Sequence, residues 1–217
     1  FTVDVTKGNT KAVLTVEKVG KVDLPAPDIF FGNDKMEVTD TDIYKSDQAF
    51  TQGQMITVTG IDNLNEWWID PDFFEKQSDG ALKFLPINGD YRVTANAVLK
   101  YFSVMALKDG KPAKLQDDGT GAIWAIGKGI GKPSVTSSEV GWEPSKALCL
   151  AQVASKKYQL TLKAGETLKT SGDPEVISFK FFHQNDWGGE FGNYASSILV
   201  EQLKLADSGN LEMQDNK

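Results

Sequence analysis

The sequence predicts an all-β protein built from two tandem immunoglobulin-like β-sandwich modules. Three observations carry that prediction. Short β-branched, alternating segments recur along the chain, and Gly-rich turns separate them. No stretch of about 12 residues shows helical 3.6-residue periodicity before the final quarter. The 217 residues are also enough for two modules of about 100 residues each.

In chain order, residues 2–5 and 12–16 carry strand signals and flank the turn-prone Lys7-Gly8-Asn9, which reads as a hairpin. Pro25 and Pro27 then make a stiff break over residues 23–28, because closely spaced prolines forbid regular strand pairing. Residues 55–60 and 90–95 alternate and are β-branched, so both are expected strands. Residues 71–76 read as at most a helical turn. Residues 108–121 are rich in Gly, Asp and Lys and poor in core-forming side chains, so an exposed linker is expected there. The modules therefore span residues 1–110 and 118–217. In the second, residues 122–126, 158–162 and 177–182 are expected strands. Leu82-Lys83-Phe84-Leu85 echoes Phe179-Lys180-Phe181-Phe182, as two similar folds in tandem, or chance, would produce.

Composition removes several function classes. Apolar residues make up 40% and charged residues 24%, with mean hydropathy −0.31, which is ordinary for a globular chain. No run approaches the ~20 consecutive apolar residues of a membrane span. The net charge of −7 and pI near 4.8 make nucleic acid a poor partner. A single cysteine, Cys149, excludes an internal disulfide and sits in the apolar run 147–151, where a buried, inert thiol is expected. A single histidine, His183, removes two-His zinc sites, and no nucleophile-elbow or papain-like signature accompanies it. The run Gly127-Lys128-Gly129-Ile130-Gly131 lacks phosphate-loop spacing and reads as a flexible exit from a strand. Asp117-Asp118-Gly119 could supply calcium ligands, but its spacing does not fit an EF-hand loop. No metal and no cofactor is expected. The chain opens on Phe1 with no leader, which reads as a processed product or a piece.

The five tryptophans are the most informative residues. Trp67 and Trp68 are adjacent, so as strand neighbours one can be core and the other exposed. Trp142 and Trp187 lie among turn residues, where an indole either plugs the end of a sandwich or stacks on a ligand. A sugar ring has apolar faces and hydroxyl edges. Its site wants a flat aromatic with hydrogen-bonding groups at the rim, and residues 185–194, with Asn185 and Asp186, supply that mixture. Alternation in Phe179-Lys180-Phe181 sends Lys180 to the face opposite the two phenylalanines. Glycoside hydrolysis would need two carboxylates flanking the scissile bond. Asp186 with Glu190, and the Glu66, Asp70 and Asp72 cluster, offer pairs, but 30 acidic residues produce such pairs by chance. No catalytic residue is expected.

The order of motifs in residues 122–194 resembles a family. Ile123-Trp124-Ala125-Ile126-Gly127, Gly141-Trp142-Glu143-Pro144, Phe179-Lys180-Phe181 and Trp187-Gly188-Gly189-Glu190-Phe191-Gly192 look like the carbohydrate-binding modules of SusE/SusF-type outer-membrane lipoproteins of Bacteroidetes. The first half is similar more loosely, through Gly60, Trp67-Trp68 and Gly89-Asp90-Tyr91-Arg92-Val93. The resemblance implies β-sandwich modules on a lipid-anchored stalk at the outer cell surface, binding glycan without cleaving it. The implied partners are a glycan ligand and an outer-membrane glycan-uptake complex. Contact with the membrane would run only through a lipid anchor that this chain lacks. By matching motifs, binding falls to Trp142, Trp187, Lys180 and Trp124, beside Asn185 and Asp186. Modules of this family close with a strand after a Gly-Asn turn. Here Lys217 follows soon after Ser208-Gly209-Asn210-Leu211, so the second module reads as cut short or completed by further residues.

Overall fold

A computed structural model describes residues 27–170 and 177–191, together with the backbone of two late strands, Leu203–Leu205 and Leu211–Met213. The hairpin expected over residues 2–16, and most of the proline break, lie outside the described residues. The fold is all-β, with several antiparallel sheets in sandwich-like packing and one short helix, Val135–Ser138.

In the first half, a five-stranded sheet runs Lys111–Pro112, Tyr101–Lys108, Gly89–Asn96, Ile43–Phe50, Glu37–Asp40. Its inner face carries Tyr44, Phe50, Tyr91, Val93 and Phe102, all buried. Against them pack two small sheets built from Phe30–Phe31 and Val58–Thr59 with Asp34–Lys35, and from Met55–Ile56, Leu82–Phe84 and Phe74–Lys76. Aromatic edges fill the gap, with Phe31 meeting Phe50, Phe74 and Phe102 at 5.2–6.1 Å between ring centroids. Residues 74–76, expected within a helical turn, are thus a strand that follows a turn, because Phe74 is drawn into this core.

In the second half, Trp124–Gly131 is the organising strand. It pairs with Ser178–Phe182 on one side, and with Glu139–Gly141 and Leu148–Cys149 on the other. Glycines 127–131, expected to form a flexible exit, lie inside this strand. A Cβ on Gly127 would sit 2.3 Å from the Phe179 Cα, and one on Gly131 would sit 2.3 Å from the Ser138 carbonyl oxygen. The glycines let neighbouring backbones close in around a bulge, which is a packing role. A strand does follow the Gly209-Asn210 pair: Leu211–Met213 joins this sheet beside Ser178–Phe182. The echoing segments occupy different settings, since Leu82–Phe84 is the centre of a three-stranded sheet.

The two halves are stitched together. Their buried apolar residues form one contiguous core. Backbone bonds cross from Ile87 N–H to the Gln152 carbonyl and from Leu115 N–H to the His183 carbonyl, each 2.8 Å. The expected linker is largely exposed but pinned. Lys111–Pro112 is an edge strand, and buried Ala113 accepts the Trp124 indole N–H at 3.0 Å.

Candidate functional site

Trp142 and Trp187 come together. Trp142 follows Glu139–Gly141, where Gly141 turns the chain at φ +58. Beyond it the short 3-10 turn Pro144–Lys146 is closed by Glu143, which accepts the Ser145 hydroxyl at 2.9 Å and pairs with Lys146 at 2.6 Å. Trp187 rides on the loop after Ser178–Phe182. Asp186 accepts the Trp187 backbone N–H at 2.7 Å, and Gln184 donates to the Trp187 carbonyl at 2.6 Å. Gly188 and Gly189 take left-handed φ of +81 and +68, returning the chain so that His183 N–H bonds the Gly189 carbonyl. The two indoles are 6.3 Å apart between centroids and 25° from parallel. Phe182 supports Trp187 edge-on at 6.0 Å.

The pair is accessible. Trp187 is 49% exposed, an unusual state for the largest side chain, and Trp142 is only partly buried. Asp186 is exposed beside it. Asn185 is partly buried, and its side-chain carbonyl oxygen is buried without a hydrogen-bond partner. Such an orphan costs roughly 1–3 kcal/mol until a donor reaches it.

Two expected site residues are corrected. Trp124 is fully buried, with its indole N–H spent on Ala113, so it has no face to present to a sugar. The premise about Lys180 also fails. Lys180 lies opposite Ile126 and shares its face with Trp124 and Phe182, and all three are fully buried. That face is therefore core. Lys180 itself keeps only partial exposure. Trp67 and Trp68 do divide, though after a 3-10 turn and not within a strand. Trp67 stacks on Phe102 at 4.6 Å, while the half-buried Trp68 donates its indole N–H to Glu166 at 3.0 Å.

The carboxylate pairs have ordinary roles. Asp186 and Glu190 are both exposed, and Glu66 pairs with Lys100 at the surface. Asp118 caps its own turn by accepting the Thr120 N–H and hydroxyl. Among the described residues, no group of three or more His, Cys, Asp or Glu side chains is placed to hold a metal. Cys149 is buried, and burial pushes its thiol up to about 12, which leaves it an inert thiol.

A buried ionic triad was not legible in the sequence. Lys132 Nζ donates to both Asp70 oxygens, at 2.9 and 2.7 Å, and to Asp72 at 2.9 Å. Asp72 also accepts the Thr161 N–H and hydroxyl, each at 2.6 Å, and the Gln159 amide at 2.9 Å. Lys132, Thr161 and Gln159 all lie in the other half, so the triad braces the seam. Burial holds Asp70 above the usual carboxylate range, with Lys132 opposing and the Asp72 charge adding to it. For Asp72 burial again disfavours the charge, but Lys132 and Thr161 outweigh it and hold the carboxyl below that range.

The two carboxyls act on stability with opposite sign. Asp72 contributes stability above the unfolded value, which is lost as pH falls through its depressed folded value. Asp70 binds its proton more tightly when folded, so stability declines as pH rises from about 3.9 through its raised value. Asp70→Asn is expected to gain on the wild type in melting temperature as pH rises above about 4. A difference that stays constant across that range contradicts the assignment.

Residues 13–115 match the model of a domain of unknown function, DUF5125, and residues 118–217 match that of a second one, DUF5121. No curated protein and no solved structure matches the chain. The chain is therefore similar to two different domain families, which meet in the segment between residues 115 and 118.

Proposed function

We propose that the protein binds polysaccharide or oligosaccharide at a cell's outer surface without cleaving it, as a component of a glycan-utilisation system. The Trp142–Trp187 pair carries this reading. Two stacked indoles, one of them half-exposed, present an apolar ring face of the kind that the C–H faces of a pyranose require. Asp186, exposed on the same loop, offers a hydrogen-bonding carboxylate at its edge, and Asn185 lies beside it. The surface location and the uptake-complex partner rest on the resemblance to SusE/SusF-type modules. A scaffold without a ligand is the second reading. It is favoured by the contacts the indoles make with each other and with Phe182, which already cover part of their apolar surface.

Trp187→Ala separates the two. Loss of a stacking aromatic costs about 1–3 kcal/mol, by analogy with bases stacked on aromatics. That is roughly ten- to hundredfold in affinity. Because Trp187 is 49% exposed, its removal is expected to lower stability by less than the ~3–5 kcal/mol of a core tryptophan. Affinity electrophoresis across a polysaccharide panel should therefore show lost retardation at a nearly unchanged melting temperature. Unchanged retardation with a collapsed melting temperature would make Trp187 structural.

A further inference from the structure

A cleft of about 330 Å³ opens at the seam between the halves. That is the small end of the roughly 300–1,000 Å³ range of ligand pockets. Trp68, Tyr101 and Met105 line it from the first half, and Lys132, Ser138 and Leu148 from the second. Asp70 and Cys149, both buried, also line it and belong to its floor, and the volume leaves room for little more than one ring.

The charges in the cleft are already committed. An ammonium has three donors, and Lys132 spends all of them on Asp70 and Asp72. Lys146, the other cation in the lining, is exposed and paired with Glu143. An ionic ligand would be stripped of water with no counter-charge to meet it, so the cleft suits a neutral one. What remains free is the capacity of hydroxyls beside ring faces. Tyr101 and Ser103 bring hydroxyls to the lining, and Ser138 shares a 3.2 Å bond with Ser137, but each hydroxyl has one donor and two acceptor sites. Flat apolar walls with hydroxyls between them match a neutral polyhydroxylated ring.

The cleft also lies near the indole pair along the chain. Ser145, in its lining, is three residues beyond Trp142, so their Cα atoms are at most about 11 Å apart. We infer that the cleft takes one neutral sugar ring at the end of the glycan whose body rests on Trp142 and Trp187. The protein then reads chain ends and not chain interiors. This inference rests on the glycan-binding reading proposed above.

The test uses the intact chain, a size-fractionated series of whichever neutral polysaccharide retards it, and linear oligosaccharides cut from that polymer. Calorimetric stoichiometry on the wild type is expected to stay at one protein per chain end at every polymer length. A stoichiometry that rises in proportion to length overturns the inference. Leu148→Trp and Ser138→Phe, which fill the cleft from two sides, are expected to weaken oligosaccharide binding at least tenfold. If both fold and bind as the wild type does while Trp187→Ala loses binding, the indole pair is a glycan site and the cleft is not. If no polysaccharide or oligosaccharide binds the wild type, both readings fall.

Discussion

Replacing Lys132 by methionine is expected to destabilise the protein by about 3–5 kcal/mol, because it leaves two carboxylates buried with no cation. The Asp72 side chain is 0% exposed, and the Lys132 and Asp70 side chains are nearly as enclosed, so water cannot stand in for the lost ammonium. The triad joins Asp70 and Asp72 of the first half to Lys132, Gln159 and Thr161 of the second. Its loss should therefore weaken both halves together. Urea unfolding followed by tryptophan fluorescence and by circular dichroism should give one coincident transition, moved to lower urea. A loss below about 1 kcal/mol is the size expected of an exposed pair, and would show that the triad is not sealed from water.

Trp124→Ala is the second large effect, at about 3–5 kcal/mol. The indole fills the space beside Ile126 and Phe182 and satisfies the buried Ala113 carbonyl, so its removal leaves both a cavity and an orphaned acceptor. Thermal melting should show the collapse, with Trp124→Phe recovering part of the packing but not the hydrogen bond. Should Trp124→Ala instead keep its melting temperature and lose glycan retardation, the indole reaches the ligand and the burial described here is wrong.

Much of the fold could be read locally. The alternation of Tyr91, Val93 and Ala95 marks the strand Gly89–Asn96, and the apolar surroundings of Cys149 announce its burial. Other elements are invisible because their physical reason lies far along the chain. The strand Ile43–Phe50 contains Lys45, Ser46, Asp47 and Gln48, which look like a loop. They sit in a strand because Asp47 meets Arg92 opposite it in two hydrogen bonds, of 2.7 and 2.6 Å, and Gln48 satisfies both Ser46 and the Phe31 carbonyl. The glycines from Gly127 to Gly131 look flexible until Ser138, Ser178 and Phe179 are seen pressed against them. Asp70, Asp72 and Lys132 look like solvated charges because nothing in either segment announces its partner.

The site divides in the same way. That Trp142 and Trp187 stand on loops was legible from their turn-rich neighbours. That the two loops meet was not, since it depends on how Glu139–Gly141 and Ser178–Phe182 flank Trp124–Gly131 in one sheet. The same pairing register sends Lys180 onto the face of buried Trp124 and Phe182, which local alternation with Phe179 and Phe181 hides.

The central claim is that Trp142 and Trp187 act as one glycan platform. The direct measurement is a set of binding isotherms for the wild type, Trp142→Ala, Trp187→Ala and the double variant, against a polysaccharide that retards the wild type. Each single variant is expected to lose roughly ten- to hundredfold in affinity. The double variant should lose less than the product of the two, because neighbouring residues that share one ligand are not additive. A double variant that binds every polysaccharide of the panel as tightly as the wild type would contradict the account.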